Sequence, residues 1–186
     1  MRRTALPKDR TGWGQLCRLL TLGRRRAEKG SCQLKLMDLL AHGTGLALLL
    51  HSPEAPTPPS GADPWLQAAR RLTRRLPGQI LLRLAPEYDG QDRARFRTQT
   101  KLAAELGIPT IASAAPMMHA ARRRRLADVL PAIRTGTPIA QLGSSALANA
   151  ERRLRDPDEM ARLFAEHPGA LARADHLAAS LNFSLD

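Results

Sequence analysis

The loop that follows Ala112 is the position in this sequence where chemistry is most expected. A short apolar run from Ile108 to Ala112, which comes after the helix-ending Gly107, predicts a buried strand. The loop after such a strand usually carries the functional groups of an α/β fold. Here it holds no carboxylate, thiol or amide side chain, and its residues are Ser113, Ala114, Ala115, Pro116, Met117, Met118 and His119.

Two histidines are the best metal ligands that the sequence offers. His51 and His119 both fall at the ends of predicted strands, and such ends share one rim of a parallel sheet. Metal-dependent phosphoester hydrolysis needs several convergent ligands and an activated water, and carboxylates are missing here. We therefore interpret both as ordinary loop histidines, at most vestiges of a metal site. His42, His167 and His176 show no ligand spacing.

Acid–base and nucleophilic chemistry are also weakly supported. Glu87, Asp89 and Asp92 cluster around Tyr88, but their place at a predicted helix start is better explained by capping and the helix dipole. Ser113 lies in no glycine elbow, and no phosphate-binding glycine motif is present. Cys17 and Cys32 have neither metal-ligand spacing nor a histidine nearby in the sequence. We predict no catalytic residue.

The positive charge is concentrated near the N-terminus. The chain has a net charge of +12, and residues 1–35 carry ten Lys and Arg against Asp9 and Glu28. A polyanionic partner such as DNA would explain this charge, with Arg24, Arg25, Arg26, Arg122 and Arg125 as candidate contacts. The alternative is a compositional bias of the source toward Arg and Ala. Consecutive arginines on a helix point in different directions, so a solvated face is the default explanation.

The elements that would position these residues alternate between strand and helix. We predict strands at 45–51, 79–84 and 108–112, and helices at 12–22, 35–41, 64–76 and 89–106. A surface loop is predicted at 52–63, and the chain is mainly helical from Arg122 onward. Asp156 and Glu159 form a capping-box-like pair. Strand–helix–strand repeats are typical of parallel βαβ units, but three strands do not close a barrel.

Composition bounds the cellular setting of the chain. Two cysteines are no disulfide framework, which favours a reduced, cytoplasmic protein. The first ten residues lack the apolar region of a signal peptide, and the longest apolar run, Leu46 to Leu50, is too short for a bilayer. We expect no membrane partner.

Several ordered blocks resemble the error-prone members of the C-family DNA polymerases. The first block is Asp-Arg-Thr-Gly-Trp-Gly-Gln-Leu-Cys-Arg-Leu-Leu-Thr-Leu-Gly-Arg-Arg-Arg-Ala-Glu-Lys-Gly at 9–30. The tail is also similar to that family, with Asn-Ala-Glu-Arg-Arg-Leu-Arg at 149–155 and Asn-Phe-Ser-Leu-Asp at 182–186. Shorter matching blocks are residues 126–130, 133–137, 159–160, 163–164 and 167–168. The resemblance extends from about Leu6 to Asp186.

The resemblance implies the later part of an N-terminal polymerase-and-histidinol-phosphatase (PHP) domain. The expected fold is α/β, a partial TIM-like barrel of parallel strands followed by a helical C-terminal segment. Residues 1–143 would be the barrel part, and residues 144–186 would lead into the polymerase body. The first His-x-His metal motif of the family would lie before Met1, and its palm, fingers and DNA-binding regions after Asp186.

The loop after Ala112 departs from the family pattern. In the family the matching strand normally runs into an Asn-Asp pair, followed by a histidine that matches His119. Ala114 and Ala115 stand at the two positions of that pair. An alanine offers no anionic oxygen to a hard or borderline cation, so this position cannot hold a metal.

The resemblance therefore implies a structural segment of an error-prone DNA polymerase. The parent would carry out translesion synthesis by DNA-directed nucleotidyl transfer with Mg²⁺, whereas this chain would bind no cofactor and be inactive alone. Its expected partners are DNA, through the parent polymerase, and the remaining polymerase segments. Two alternatives stay open, a metal-dependent PHP phosphoesterase or proofreading module and a basic DNA-binding accessory protein.

Overall fold

Four short strands form one mixed sheet in the computed structural model, which describes residues 2–53 and 63–184. They are β1 (Arg3–Pro7), β2 (Leu46–Leu50), β3 (Ile80–Leu84) and β4 (Thr110–Ala112), in the order β1-β2-β3-β4. Strands β2, β3 and β4 are mutually parallel, with Leu48 beside Ile80 and Leu82 beside Thr110. The predicted α/β class and its three parallel strands are confirmed.

Strand β1 corrects the expectation that all strands are parallel. It pairs antiparallel with β2, so that Arg3 faces Leu50 and Pro7 faces Leu46. The segment has only two apolar residues before its proline, and therefore carries no strand pattern of its own. Hydrogen bonds to the fully buried β2 make the segment a strand. Its proline has no N–H to donate, which is tolerated because β1 is an edge strand with no second neighbour to pair with.

Seven α-helices are described, and most lie where the sequence predicts them. They are α1 (Arg10–Arg25), α2 (Leu36–His42), α3 (Pro64–Arg75), α4 (Asp92–Leu106), α5 (Arg124–Thr135), α6 (Pro157–Leu163) and α7 (Pro168–Ser180). Short 3₁₀ turns occupy Ala121–Arg123, Ile139–Gln141 and Gly143–Ser145. Helix α4 begins three residues later than predicted because Gly90, with φ +83°, forms a turn there. Residues 54–62 of the predicted surface loop lie outside the described residues.

Local signals fix several helix ends. The Asp9 carboxylate accepts a hydrogen bond from the backbone N–H of Gly12 at 2.7 Å and caps α1. The predicted cap at Asp156 is confirmed, because its Oδ1 accepts from the N–H of Glu159 at 2.7 Å. Gly107 ends α4 in the left-handed region with φ +64°, as predicted from its residue type.

The buried face of α1 differs from the predicted one. The spacing of Trp13, Leu16, Cys17 and Leu20 predicts that they share one apolar helical face. Cys17 and Leu20 are nevertheless exposed, while Gly12, Leu19 and Gly23 are buried. The helix also continues to Arg25, three residues past the predicted end at 22. Only glycine fits at position 23 without a shift of its neighbours, because a Cβ on Gly23 would lie 2.6 Å from Sγ of Cys32.

The first turn of α1 lies against the backbone of the turn before β2. The N–H of Lys8 donates to the carbonyl oxygen of Gly45 at 3.0 Å. Gly45 has φ +77°, and a Cβ placed on Gly12 would lie 2.2 Å from that same carbonyl oxygen. This helix and this turn therefore approach each other at two glycines.

The main core lies on one face of the sheet. Leu48 and Leu50 of β2 and Leu82 of β3 are fully buried against helices α3 and α4. The Leu and Ala spacing at 66–76 and 102–106 predicts core positions, and this is confirmed, since these segments contribute Ala69, Leu72, Leu76, Ala103 and Leu106. Both crossover helices thus cover the same side of the parallel strands.

A second core joins the C-terminal helices to the sheet. Phe164, which is fully buried, stacks on Phe96 of α4 with a 5.4 Å separation of ring centroids. Ala170 of α7 packs in the same cluster, and the Arg173 guanidinium donates to the backbone oxygen of Thr110 in β4 at 2.5 Å. Further along, the Phe183 ring stacks on Trp13 of α1 at 5.8 Å. The division into segments 1–143 and 144–186 stays a prediction.

Candidate functional site

An open cleft of about 650 Å³ lies at the carboxyl ends of β2 and β3. This is the rim where the sequence predicts functional residues. The residues that follow β2 and β3 form part of the wall, and α4 contributes Ala94, Arg95, Thr98, Gln99 and Leu102. Polar and charged lining residues from the remaining elements are Arg2, His51, Ser52, Arg83, Glu87, Asp89, Gln91 and Arg152.

Arg83 is the central cation of this cleft. Strand alternation places it on the face opposite the buried Leu82 and Leu84. Its guanidinium has no hydrogen-bond or ion-pair partner among the described residues, and its Nε is buried. Burial lowers the pKa of Arg83, and the nearby charges of Arg152 and Arg2 lower it further. An unpaired, partly desolvated cation beside like charges makes the cleft electropositive.

Two further side chains present donors to the cleft. Arg152 donates through Nε to the carbonyl oxygen of Ala115 at 3.2 Å, which leaves its terminal nitrogens without a partner in the described part of the chain. Nε2 of Gln99, a residue only 6% exposed, donates to Oγ of Ser52 at 2.6 Å. Because the Ser52 hydroxyl accepts there, its own O–H remains free to donate.

The carboxylates on the rim are engaged in holding the turn before α4. Both oxygens of Asp92 accept from the backbone N–H groups of Glu87 and Tyr88, at 2.8 and 2.9 Å. Arg95 pairs with Asp92 and also with Asp89, the latter at 2.5 Å. The hydrogen bond from Arg95 lowers the pKa of Asp89. The predicted helix capping is not found, because the N-cap residue of α4 is Gln91, which makes no side-chain cap hydrogen bond. Asp92 does lie in the first turn, where the helix dipole favours an acidic residue.

His51 lies at the end of β2 and is held by the neighbouring strand. Its Nε2 is 2.9 Å from Oγ1 of Thr4, and its backbone oxygen accepts from the indole N–H of Trp65 at 2.9 Å. Burial lowers the pKa of His51 to about 4, and the positive charges of Arg83 and Arg2 contribute to the same shift. The imidazole is therefore neutral at pH 7.

We expect an NMR titration to give His51 a pKa near 4. The unfolded chain takes up this proton near pH 6.5, while the native protein does not do so until about pH 4. The contribution of His51 to stability is therefore complete above pH 6.5 and declines as the pH falls toward 4. His51→Gln should flatten that part of the pH–stability curve, and a titration of His51 near pH 6.5 would contradict the shift.

His119 does not join His51. It is exposed, lies at the end of the loop after β4 and does not line the cleft. Among the residues that the structure describes, no three His, Cys, Asp or Glu side chains come together as a possible metal site. Nδ1 of His42 is 2.9 Å from the Gln15 side-chain oxygen, and the His167 ring packs edge-on against Phe96. The metal interpretation thus gains no assembled ligand set.

The loop after β4 has a strained backbone at one of its alanines. Ala115 has φ +46°, which is left-handed, and its N–H donates to Oγ of Ser113 at 3.1 Å. Non-glycine residues are uncommon in this conformation, and Asn and Asp adopt it more readily than Ala. The position that bears Ala115 is thus one that the geometry suits to Asn or Asp.

Ala115→Asn is expected to raise the free energy of unfolding by about 1 kcal/mol, because it relieves the left-handed alanine. Chemical denaturation of both proteins measures this difference. Ala114→Asn is the matched control, since Ala114 does not have a positive φ. Equal changes in the two variants would show that the backbone conformation of Ala115 is not the cause.

The candidate nucleic-acid arginines lie in two places. Arg24 and Arg25 are exposed at the end of α1, while Arg26 forms a two-pronged pair with Asp38, the shorter contact being 2.5 Å. That hydrogen bond lowers the pKa of Asp38 to about 2. Arg122 and Arg125 are exposed around the start of α5. Their role in DNA contact stays a prediction.

Of the predicted site residues only His51 lines this cleft; residues 113–119 of the loop after β4 do not, and the cationic groups of the cleft are not predicted from the sequence. Arg2, Arg83 and Arg152 are far apart in the chain, and β1, which places Arg2 near His51, has no strand pattern. One signal was available: Arg83 is the single charged residue in the apolar strand Ile-Leu-Leu-Arg-Leu.

Within residues 2–53 and 63–184, no helix has the length and apolar character needed to cross a bilayer.

The chain is similar to curated proteins named error-prone DNA polymerase. It is 47% identical over 181 residues to the one from Ruegeria pomeroyi, covering 97% of this chain and 16% of that polymerase. Identity is 42% over 183 residues with the Mesorhizobium japonicum protein and 40% over 182 with that of Sinorhizobium medicae, again over 16% of each. The chain thus spans less than a fifth of these relatives. No protein-family model matches it.

Proposed function

From this homology to a segment of the error-prone DNA polymerases, we propose that the chain is a structural part of such an enzyme. The observation that carries the proposal is the 47% identity over 97% of the chain. The predicted resemblance is confirmed by it. The parent reaction would be DNA-directed nucleotidyl transfer during translesion synthesis, in the cytoplasm, with DNA as partner. The Mg²⁺ ions of that reaction would be held outside this chain.

We place the chain in the later part of a PHP-type barrel. Strands β2, β3 and β4 follow each other in space as in sequence, and the connecting helices α3 and α4 pack on one face. Repeated right-handed crossovers in one direction produce that arrangement, which is also how a (β/α) barrel is built. The antiparallel β1 would be the departure from the barrel pattern.

An apolar stripe on α5 supports a partner among the remaining polymerase segments. Leu126, Leu130 and Ile133 recur at helical spacing and are 56%, 62% and 73% exposed. Exposed apolar surface of this kind is typical of a protein interface. Ile139, 51% exposed, follows the same helix and extends the apolar surface of this region.

Primer extension tests the proposal directly. The purified 186-residue protein is incubated with a primed template, dNTPs and Mg²⁺, and we expect no incorporation above a buffer blank. Incorporation that survives further purification would overturn the structural role. The phosphoesterase alternative predicts stoichiometric Zn or Mn in the purified protein, which elemental analysis measures in the same sample.

A further inference from the structure

We propose that the exposed apolar stripe of α5 binds an amphipathic helix whose own apolar stripe is flanked by carboxylates. The stripe of α5 consists of Leu126, Leu130 and Ile133, with Arg125 and Arg134 beside it. This inference deepens the proposed function, on which it rests for the source of the helix, a remaining segment of an error-prone polymerase. The burial and the charges of α5 define the chemistry of that helix.

One side of α5 is already engaged within this chain. Asp128, only 7% exposed, accepts a hydrogen bond from the backbone N–H of Leu147 at 2.9 Å. Arg124 donates to the carbonyl oxygen of Leu147 at 2.5 Å, and Ala132 is buried on the same side. The helix otherwise packs mainly against the 3₁₀ turns that precede and follow it. It is thus anchored by the side opposite the apolar stripe, which leaves the stripe at the surface.

The stripe has the spacing of a helix-binding face. Leu126, Leu130 and Ile133 lie at i, i+4 and i+7, and a turn of about 100° per residue keeps them in one narrow strip. All three side chains are more than half exposed. Anchors at this spacing are those by which one amphipathic helix recognises an apolar partner surface. Burying these aliphatic side chains away from water favours the association.

The charges beside the stripe determine which helix fits. Helical geometry places Arg125 on one side of the stripe and Arg134 on the other. Both are exposed, and neither has an ion-pair partner among the described residues. Residues 121–141 contain five arginines and one carboxylate, that of the buried Asp128. A helix with Glu or Asp on both flanks of its apolar stripe therefore complements this face, whereas basic flanks are repelled.

Two other occupants fit the face less well. In a pair of identical α5 helices, Arg125 and Arg134 of both copies would meet along one seam, with no exposed carboxylate of α5 to offset them. The phosphate backbone of DNA would match the arginines but would leave the aliphatic stripe in water. The polymerases that this chain resembles extend far beyond it, since it spans 16% of each, and so have room for an acidic amphipathic helix.

The test is fluorescence anisotropy of a labelled peptide of about 18 residues, titrated with the full chain. The peptide has leucine at i, i+3, i+4 and i+7, glutamate on both flanks and alanine elsewhere, and its twin has lysine in place of glutamate. We expect the acidic peptide to bind with a Kd of about 10–100 μM, because a single pair of helices buries a small interface. The basic twin should bind at least about tenfold more weakly, and added salt should narrow that difference.

Variants of the chain locate the binding on α5. Leu130→Gln should weaken binding of the acidic peptide about tenfold, because it removes the central anchor, and Arg125→Gln about threefold. Met37→Gln is the matched control: Met37 is 65% exposed but lies on α2, and this variant should bind as the wild type does. Because Leu130 is 62% exposed, Leu130→Gln should keep the wild-type Tm. Should it not fold, Ile133→Gln takes its place.

The remaining outcomes would overturn the proposal. Equal affinities of the two peptides, or an unchanged affinity in the α5 variants, would remove the predicted chemistry. A dimer that Leu130→Gln dissociates, seen by sedimentation equilibrium, would assign the stripe to a second copy. Binding of a DNA duplex but of neither peptide, weakened by Arg125→Gln, would assign the face to nucleic acid.

A peptide array tests the source of the helix separately. It covers the Ruegeria pomeroyi polymerase outside the segment that matches this chain, and we expect an acidic amphipathic peptide that binds the wild type but not Leu130→Gln. An array without such a peptide would refute the polymerase as the source. Failure of all peptide binding would leave the primer-extension result unchanged, whereas dNTP incorporation would overturn the structural role and leave the peptide affinities as they are.

Discussion

Replacing Gly12 with alanine is expected to destabilise the protein by about 3 kcal/mol, because the added Cβ has nowhere to go. It would lie 2.2 Å from the carbonyl oxygen of Gly45 and 2.9 Å from its carbon. Both obstacles are backbone atoms, so no rotamer change relieves the overlap. The turn at Gly45, whose φ is +77°, or the start of α1 would have to move. Urea unfolding followed by circular dichroism measures the loss.

Gly14→Ala is the control for this variant, two residues further along α1. A Cβ on Gly14 meets nothing within 4 Å, and this position is exposed. Alanine is the better helix former, so this variant should gain about 0.5–1 kcal/mol. Gly12→Ala gains the same helical preference. A net decrease in its free energy of unfolding would therefore measure the cost of the overlap with Gly45. Two stabilised variants would mean that α1 does not approach the turn this closely.

Phe164→Ala is expected to cost about 4 kcal/mol, the usual penalty for truncating a fully buried aromatic ring. Phe164 is 0% exposed, stacks on Phe96 of α4 and packs beside Leu84 of β3. Its removal would open a cavity between the C-terminal helices and the sheet. We expect one cooperative transition with a lower midpoint, measured by calorimetry or by urea unfolding.

A matched surface variant serves as the control for Phe164→Ala, and the number of unfolding transitions gives further information. Ile133→Ala removes a large apolar side chain that is 73% exposed, and its free energy of unfolding should stay within about 0.5 kcal/mol of the wild type. If Phe164→Ala instead produced two separate transitions, residues 144–186 would be a unit that unfolds apart from the sheet. Such a result would support the predicted division of the chain at residue 143.

Elements with a strong local pattern could be predicted from the sequence, and those that depend on tertiary pairing could not. The apolar runs of β2, β3 and β4 and the stop at Gly107 are local signals, and each is found where expected. Strand β1 exists through its ladder with β2, which no pattern within Arg3–Pro7 encodes. The buried face of α1 differs from the predicted one because Gly12 and Gly23 make close contacts, and a glycine adds nothing to an apolar stripe in the sequence.

His51 is the part of the candidate site that could be predicted from the sequence, whereas the predicted loop at 113–119 does not line the cleft. The carboxyl ends of parallel strands share one rim, so His51 could be placed there from the strand boundaries alone. Arg2 and Arg152 also line the cleft, but long-range packing brings them there, and a single sequence does not show such packing. Ala115 illustrates the same limit, because its left-handed backbone is visible only in three dimensions.

The stack of Phe183 on Trp13 joins two residues that are 170 positions apart in the chain. Bringing the ends of so long a segment together costs conformational entropy, and contacts formed earlier in folding must offset that cost. This ring pair is therefore expected to form late in folding, after the sheet and α7 are in place. The sequence has two tryptophans, and Trp65 lies in the main core. The fluorescence of Trp65 should therefore change when the main core forms. That of Trp13 should change later, when the C-terminal residues pack against α1.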